Sequence, residues 1–254
     1  MNGYQEKITR IRAHLALEGA AGAVLSTPDN IFYATGFSSV MDGWHLVEPI
    51  AAVFVPTDAA SPVVLILPEA SVISPIVSER GGHPVHFDRL ATFDMLNFCE
   101  TARAEDAHLA LPDDLLAELG DVMEQVEGQC EPDIIQTIAA CVSRHISKAE
   151  RVLFDDLRVA ARVEALIGQA SGDALDVMFA ARAVKTADEI DTLRESGQIA
   201  DAIMAYTVSL LGVGKSWSEV EKQVAHFMID HDVDPLPGSP MLFGGAYDLV
   251  FRPD

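Results

Sequence analysis

Basic residues are scarce in this chain: 17 lysines and arginines stand against 39 aspartates and glutamates, a formal charge of -22. Such an excess repels a phosphate backbone over long range, which argues against nucleic acid as a partner. The acids are scattered through the sequence, the pattern of a solvated surface and not of an interaction tail. Cysteine is equally sparse. Cys99, Cys130 and Cys141 have no CxxC spacing, so they point to neither a disulfide framework nor a zinc finger and read as reduced, ordinary side chains. No stretch approaches the ~18 uninterrupted apolar residues of a membrane span. The first turns carry Glu6, Lys7, Arg10 and Arg12 in an amphipathic pattern in place of an apolar signal core. A cytoplasmic protein without a membrane partner is the expectation. Apolar residues are plentiful, 49% of 254, enough for one large domain or two ordinary ones.

Periodicity supplies the elements. Ile8, Ile11 and Leu15 share one side of a helix over 5–17, and Gly19 stands where it should stop. A short apolar strand follows at 23–26, and Thr27, Pro28, Asp29 and Asn30 read as a turn. Unbroken apolar runs at 50–55 and 63–67 predict strands covered on both faces. Beyond them the pattern alternates: helix 69–80, strand 84–87, helix 91–103, strand 108–111, helices 113–126 and 133–147, strand 152–154 and helix 157–169. This alternation defines an α/β domain. Thr186-Ala187-Asp188-Glu189 is a capping-box sequence. It predicts a helix start, and Ile190, Leu193, Gly197, Ala200, Ile203, Met204, Thr207 and Leu211 then form one packing stripe up to Gly212 and Gly214. Ser216-Trp217-Ser218-Glu219 opens a second helix, faced by Val220, Val224, Phe227 and Met228 and ending near Asp232.

Two segments are more specific. Asp29-Asn30-Ile31-Phe32-Tyr33-Ala34-Thr35-Gly36-Phe37 follows the first helix and strand, and Arg182-Ala183-Val184-Lys185-Thr186-Ala187-Asp188-Glu189-Ile190-Asp191-Thr192-Leu193-Arg194 comes a domain's length later. The first resembles the N-I-x-Y-x-T-G-F segment of the creatinase, prolidase and Xaa-Pro aminopeptidase family. The second resembles the segment that opens that family's catalytic domain. Gly214-Lys215-Ser216-Trp217-Ser218-Glu219 is similar to the turn between the first two helices of that domain. The resemblance implies an α/β fold. A creatinase-type amino-terminal domain, a mixed β-sheet flanked by helices, would span 1–180, and an incomplete pita-bread α+β catalytic domain would begin at 181–254.

The same resemblance implies a metal-dependent C–N hydrolase acting on a small peptide or amide, and a homodimer. Two divalent ions (Mn, Co or Zn), held by two Asp, one His and two Glu, would activate a shared water and polarise the scissile carbonyl. Those ligands are expected past Asp254, so the chain as it stands is read as a fragment without cofactor or activity, and its two closing helices as part of an unfinished domain. The alternative is a non-catalytic member of the fold used for binding or dimerisation, as fold alone does not assign chemistry. Substrate-facing positions are expected at Trp44 and His45, in the loop after the first segment, and at Phe243 and Tyr247. Val250 stands where Gly244-Gly245-Ala246-Tyr247-Asp248-Leu249-Val250-Phe251-Arg252-Pro253 would place the family's substrate-handling His.

Other residues read as structural. His83 and His86 lack an acidic or Cys partner at ligand spacing. His226 and His231 are five apart and do not share a helix face. Asp155 and Asp156 are expected to serve as turn or cap residues and not as an acid/base pair.

Overall fold

The structure, a computed structural model, describes residues 3–39, 48–95, 112–212 and 214–233. They divide into two compact units that meet in sequence between Thr186 and Ala187.

The first unit is built on a six-stranded mixed sheet. Its strands are β1 (Gly22–Leu25), β2 (Ala52–Pro56), β3 (Val64–Pro68), β4 (Arg89–Phe93), β5 (Val152–Phe154) and β6 (Ser171–Asp173), in the spatial order β4-β3-β2-β1-β5-β6. The β1, β2 and β3 strands form an antiparallel meander, while β4 adds parallel to β3 and β5 and β6 add parallel on the far side of β1. Alternate side chains supply two cores. Ala23, Leu25, Val53, Val55, Leu65 and Leu67 face the helices α1 (Gly3–Leu17), α2 (Pro28–Thr35) and α7 (Leu175–Ala183). Val24, Ala52, Phe54, Val64 and Ile66 face α5 (Ile134–His145) and α6 (Leu157–Ile167). Burial on both faces explains the continuous apolar runs of β2 and β3, since a strand between two helical layers has no solvent side. Phe54, fully buried, contributes on the order of 1.5–3 kcal/mol by itself.

Several elements differ from the sequence reading. The expected turn at 27–30 is the start of α2: Thr27 is the N-cap and its carbonyl accepts the Asn30 and Ile31 amides at 3.1 and 3.0 Å. Pro28 suits the first helical turn because the amide it lacks would find no partner there. The strand expected at 84–87 is unpaired chain, and the strand beside it is β4, over the start of the helix expected at 91–103. Parallel pairing with β3 puts Leu90 in one core and Ala91 and Phe93 in the other. That two-sided burial overrides local helix propensity. The rest of that helix and the strand expected at 108–111 lie outside the described residues. The helix expected at 69–80 is divided into a 3-10 turn, Glu69–Ser71, and α3 (Ser74–Arg80), with Pro75 in the first turn of α3. Neither β6 nor α7 has a sequence signal. Ser171, Gly172 and Asp173 are extended because they pair with β5 at the sheet edge. The helix α4 (Asp113–Met123) starts as expected but ends three residues early, where Val126 bridges to Leu90.

Among its described residues the second unit is a helix pair, α8 (Ala187–Leu210) and α9 (Trp217–Ile229). The capping box at the start of α9 is formed: Ser216 Oγ accepts the Glu219 amide and the Glu219 carboxylate accepts the Ser216 amide. Leu210, Val220 and Val224 are buried together, with Ile203, Tyr206 and Met228 against them. Tyr206 stacks on Phe227 at 4.3 Å between ring centroids, and Phe227 meets His231 at 4.0 Å. Part of the expected stripe holds: Ile203 packs on the Leu210, Val220 and Val224 cluster and Thr207 is buried, whereas Ile190, Leu193, Met204 and Leu211 are exposed and Leu210 is buried in place of Leu211. Among the described residues no helix is long and apolar enough to cross a membrane.

Gly36 closes α2 in the left-handed region, φ 76°, and a Cβ there would sit 2.7 Å from the Pro84 carbonyl oxygen. Gly19 has a similar φ of 63° but open space around it. Gly19→Ala should therefore cost about 1 kcal/mol of backbone strain. Gly36→Ala should cost at least about 1 kcal/mol more, because a backbone carbonyl must also move. Urea denaturation of the two variants measures the difference.

Candidate functional site

Arg182, which opens the second motif segment, meets Asn30 of the first, 152 residues away, and Asn30 in turn binds one carboxylate. Asp155 follows β5, and its amide donates to the Val24 carbonyl of the neighbouring parallel strand at 3.3 Å. This places the side chain at the carboxyl ends of β1 and β5, beside the start of α2. Five donors converge on it. Asp155 Oδ1 accepts the Ser26 amide at 2.7 Å and the Ser26 hydroxyl at 3.1 Å. Oδ2 accepts the Thr27 amide at 3.1 Å, the Thr27 hydroxyl at 2.6 Å and the Asn30 side-chain amide at 2.9 Å. Asn30 then passes the connection on, its Oδ1 accepting Arg182 Nη1 at 3.1 Å. One turn along α2, the Tyr33 hydroxyl donates to the Ala181 carbonyl at 2.8 Å.

Each named residue of the first segment thus has a physical duty. Ile31 and Phe37 are core residues. Thr35 Oγ1 donates to the Ile31 carbonyl at 2.7 Å and accepts the Phe37 amide at 3.0 Å, while Gly36 makes the left-handed cap. The Thr35 carbonyl takes the His86 amide at 2.8 Å. His86 itself stacks on Tyr4 with centroids 4.5 Å apart. Burial lowers the His86 pKa and pushes Tyr4 up to about 12, so this ring pair is neutral at physiological pH.

The junction occupies a position where open α/β sheets commonly take a ligand. The helices after β1 and β5, α2 and α6, pass to opposite faces of the sheet, leaving a crevice at the strand ends. Here the crevice is filled from within, because Asp155 already uses the Ser26 and Thr27 amides that would cradle an anion. Its chemistry is that of a clamp. Asp156, next in sequence, caps α6 by accepting the Arg158 amide at 2.8 Å, and its pairing with the Arg158 guanidinium lowers its pKa. Asp156 serves as the expected cap, whereas Asp155 instead binds residues 26–30 from a distant part of the chain.

Two other places could carry chemistry. A cavity of about 400 Å³ has apolar walls that include Ile50, Phe93, Met95 and Ile134, with Glu48, Asp94 and Asp133 also lining it. Two of those carboxylates are engaged, Glu48 with Arg162 at 2.6 Å and Asp133 with the Gln136 amide at 2.9 Å as the cap of α5. The second place is a cluster of Glu127, Cys141 and His145 around the end of α5. Sequence reasoning passed over it, although Cys141 and His145 stand four apart, the spacing that puts two side chains on one helix face.

The expected substrate-facing residues Trp44, His45, Phe243 and Tyr247 lie outside the described residues, as does Val250. The described residues do not gather a set of two Asp, one His and two Glu. Among them the cluster with three potential ligand atoms in reach is Glu127-Cys141-His145, whose buried thiol does not suit a bridged pair of carboxylate-bound ions.

No family model and no curated protein matches this chain. Solved structures do match. A prolidase from Thermococcus sibiricus superposes with a TM-score of 0.57 at 16% identity, over 91% of this chain and 50% of that one. The dipeptidase PepE from Mycobacterium ulcerans gives 0.57 at 17% identity, over 90% and 49%. An Xaa-Pro dipeptidase from Bacillus anthracis gives 0.55 at 17% identity, over 90% and 49%. The chain therefore has the creatinase/prolidase-type fold, with a mixed sheet flanked by helices in its first unit. It spans about half the length of these solved relatives.

Adjacent aspartates provide an internal control on the clamp. Asp155→Asn replaces a carboxylate oxygen by an NH2 that faces donors, and should destabilise the fold by at least about 2 kcal/mol. Asp156→Asn keeps a good N-cap and loses only a surface ion pair, so it should change stability by less than about 1 kcal/mol. Chemical denaturation of both variants checks the contrast.

Proposed function

We propose that this chain forms the amino-terminal lobe and the opening of the catalytic lobe of a metal-dependent C–N hydrolase of the prolidase kind, acting on Xaa-Pro peptides or a related small amide as a homodimer. The observation that carries the reading is the contact between the two motif segments. Asn30 of the first holds Arg182, which opens the second, and Tyr33 holds Ala181 just before it, ahead of the α8 and α9 helix pair. A segment that fixes where the next unit begins is what an accessory lobe requires. The relatives sharing the fold include a prolidase, a dipeptidase and an Xaa-Pro dipeptidase, which supports the reaction class and substrate.

Under this reading the paired metal ions belong to the whole enzyme and are held by residues other than those described. The role of the described residues is to shape and orient, through the Asp155 clamp and the capped helices of the second unit. Substrate contact is assigned to Trp44 and His45 and to Phe243 and Tyr247. The imide nitrogen of an Xaa-Pro bond carries no hydrogen, so its recognition rests on shape and apolar contact, which aromatic side chains supply.

Assayed as it stands, the purified chain should not cleave a Gly-Pro dipeptide with Mn2+ or Co2+ present, and metal-stimulated release of proline would contradict the assignment. Reading the gene beyond codon 254 decides the remainder. An uninterrupted frame with two Asp, one His and two Glu supports the hydrolase, and a stop codon there favours a binding protein.

A further inference from the structure

Glu127, Cys141 and His145 bring a carboxylate oxygen, a thiol sulfur and an imidazole nitrogen within 4.8 Å of one another. We propose that this cluster is a binding site for a single transition-metal ion of the zinc class, independent of any hydrolytic metal pair, with these three side chains as ligands and a fourth position left to water.

The ligands stand on fixed supports. Cys141 and His145 are one turn apart on α5, whose buried face packs on the sheet. The His145 ring is oriented by stacking on Phe54 of β2, with centroids 5.8 Å apart. Glu127 lies beyond α4, and its backbone is tied to β4: its amide donates to the Leu90 carbonyl at 2.8 Å, and the Leu90 amide donates to the Gln125 carbonyl at 3.0 Å. The Glu127 carboxylate already faces His145, with Oε1 and Nε2 at 2.8 Å. Two supports, α5 and the segment after α4, thus bring three side chains together.

Donor type and spacing suit the ion. Tetrahedral zinc with one sulfur at ~2.3 Å and nitrogen and oxygen at ~2.0–2.2 Å sets its ligands roughly 3.3–3.6 Å apart. Closing from at most 4.8 Å, and opening the 2.8 Å His145–Glu127 contact, requires only side-chain rotation. A mixed S, N and O set favours zinc, cobalt or nickel over magnesium or calcium. Cys141 is fully buried, and its thiol is pushed up first by that burial and then by the Glu127 carboxylate. It keeps its proton until a cation displaces it to solvent.

One charge opposes the ion. Arg144 Nη1 donates to the same Glu127 oxygen at 2.9 Å. Its side chain is 39% exposed, so it can return to water by rotation while the thiolate and carboxylate together balance the divalent charge.

Titrating the metal-free chain with Co2+ tests the site through absorbance. The expected result is a thiolate-to-cobalt charge-transfer band with the visible bands of a tetrahedral ion, saturating at one equivalent and displaced by Zn2+. Cys141→Ser should abolish the sulfur band, and Cys130→Ser, at the exposed thiol, should retain it. His145→Asn should weaken binding by about tenfold or more, an independent decision should the Cys141 variant fail to fold by circular dichroism. A wild-type chain without the sulfur band at saturating Co2+, a band that survives Cys141→Ser, or unchanged affinity in His145→Asn overturns the proposal.

Discussion

The carboxylate of Asp155 ties the chain after β1 to the chain after β5, two strands that already pair in the sheet. It sits where β1 and β5 run parallel and their following helices separate, and it gathers two amides, two hydroxyls and a side-chain amide from residues 26–30. Without it the Ser26 and Thr27 amides would lose their acceptor, and an orphaned donor costs more than a bond contributes. With it, the entry of α2 is fixed. Asn30 and Tyr33 are then aimed at α7, and through Arg182 and Ala181 the position at which the first unit ends is set. The clamp therefore links sheet topology to α7, the last helix of the first unit.

This arrangement gives the first motif segment a structural meaning. Conformation explains its glycine and its threonine, core packing its isoleucine and phenylalanine, and hydrogen bonding to α7 its asparagine and tyrosine. None is placed to do acid or base chemistry. Pre-organisation of this kind matters to catalysis indirectly, since reacting groups must be held to within a fraction of an ångström by what surrounds them.

Much of the fold was legible in the sequence where burial is two-sided or capping is local. The β2 and β3 strands announced themselves as unbroken apolar runs, and Ser216 and Glu219 marked the start of α9 by their spacing alone. What escaped reading depends on distant partners. Arg89, Leu90, Ala91, Thr92 and Phe93 are extended because β3 is beside them, and Ser171, Gly172 and Asp173 because β5 is. The phase of α8 is set by α9, so Leu210 and not Leu211 is buried. For the site, Asp155 was expected to serve a local turn or cap, but its five donors come from 125 to 129 residues away and have no local signature. Glu127, Cys141 and His145 escaped for the same reason, since only tertiary packing brings Glu127 to the face of α5.

The central claim is that the Asp155 clamp is a permanent part of the folded state. Amide hydrogen exchange at Ser26 and Thr27, followed by nuclear magnetic resonance, tests it most directly. Both amides should be as protected as those of the central strands β1 and β2, exchanging only when the whole unit unfolds. Exchange as fast as at the exposed loop amide of Ala60 would contradict the account.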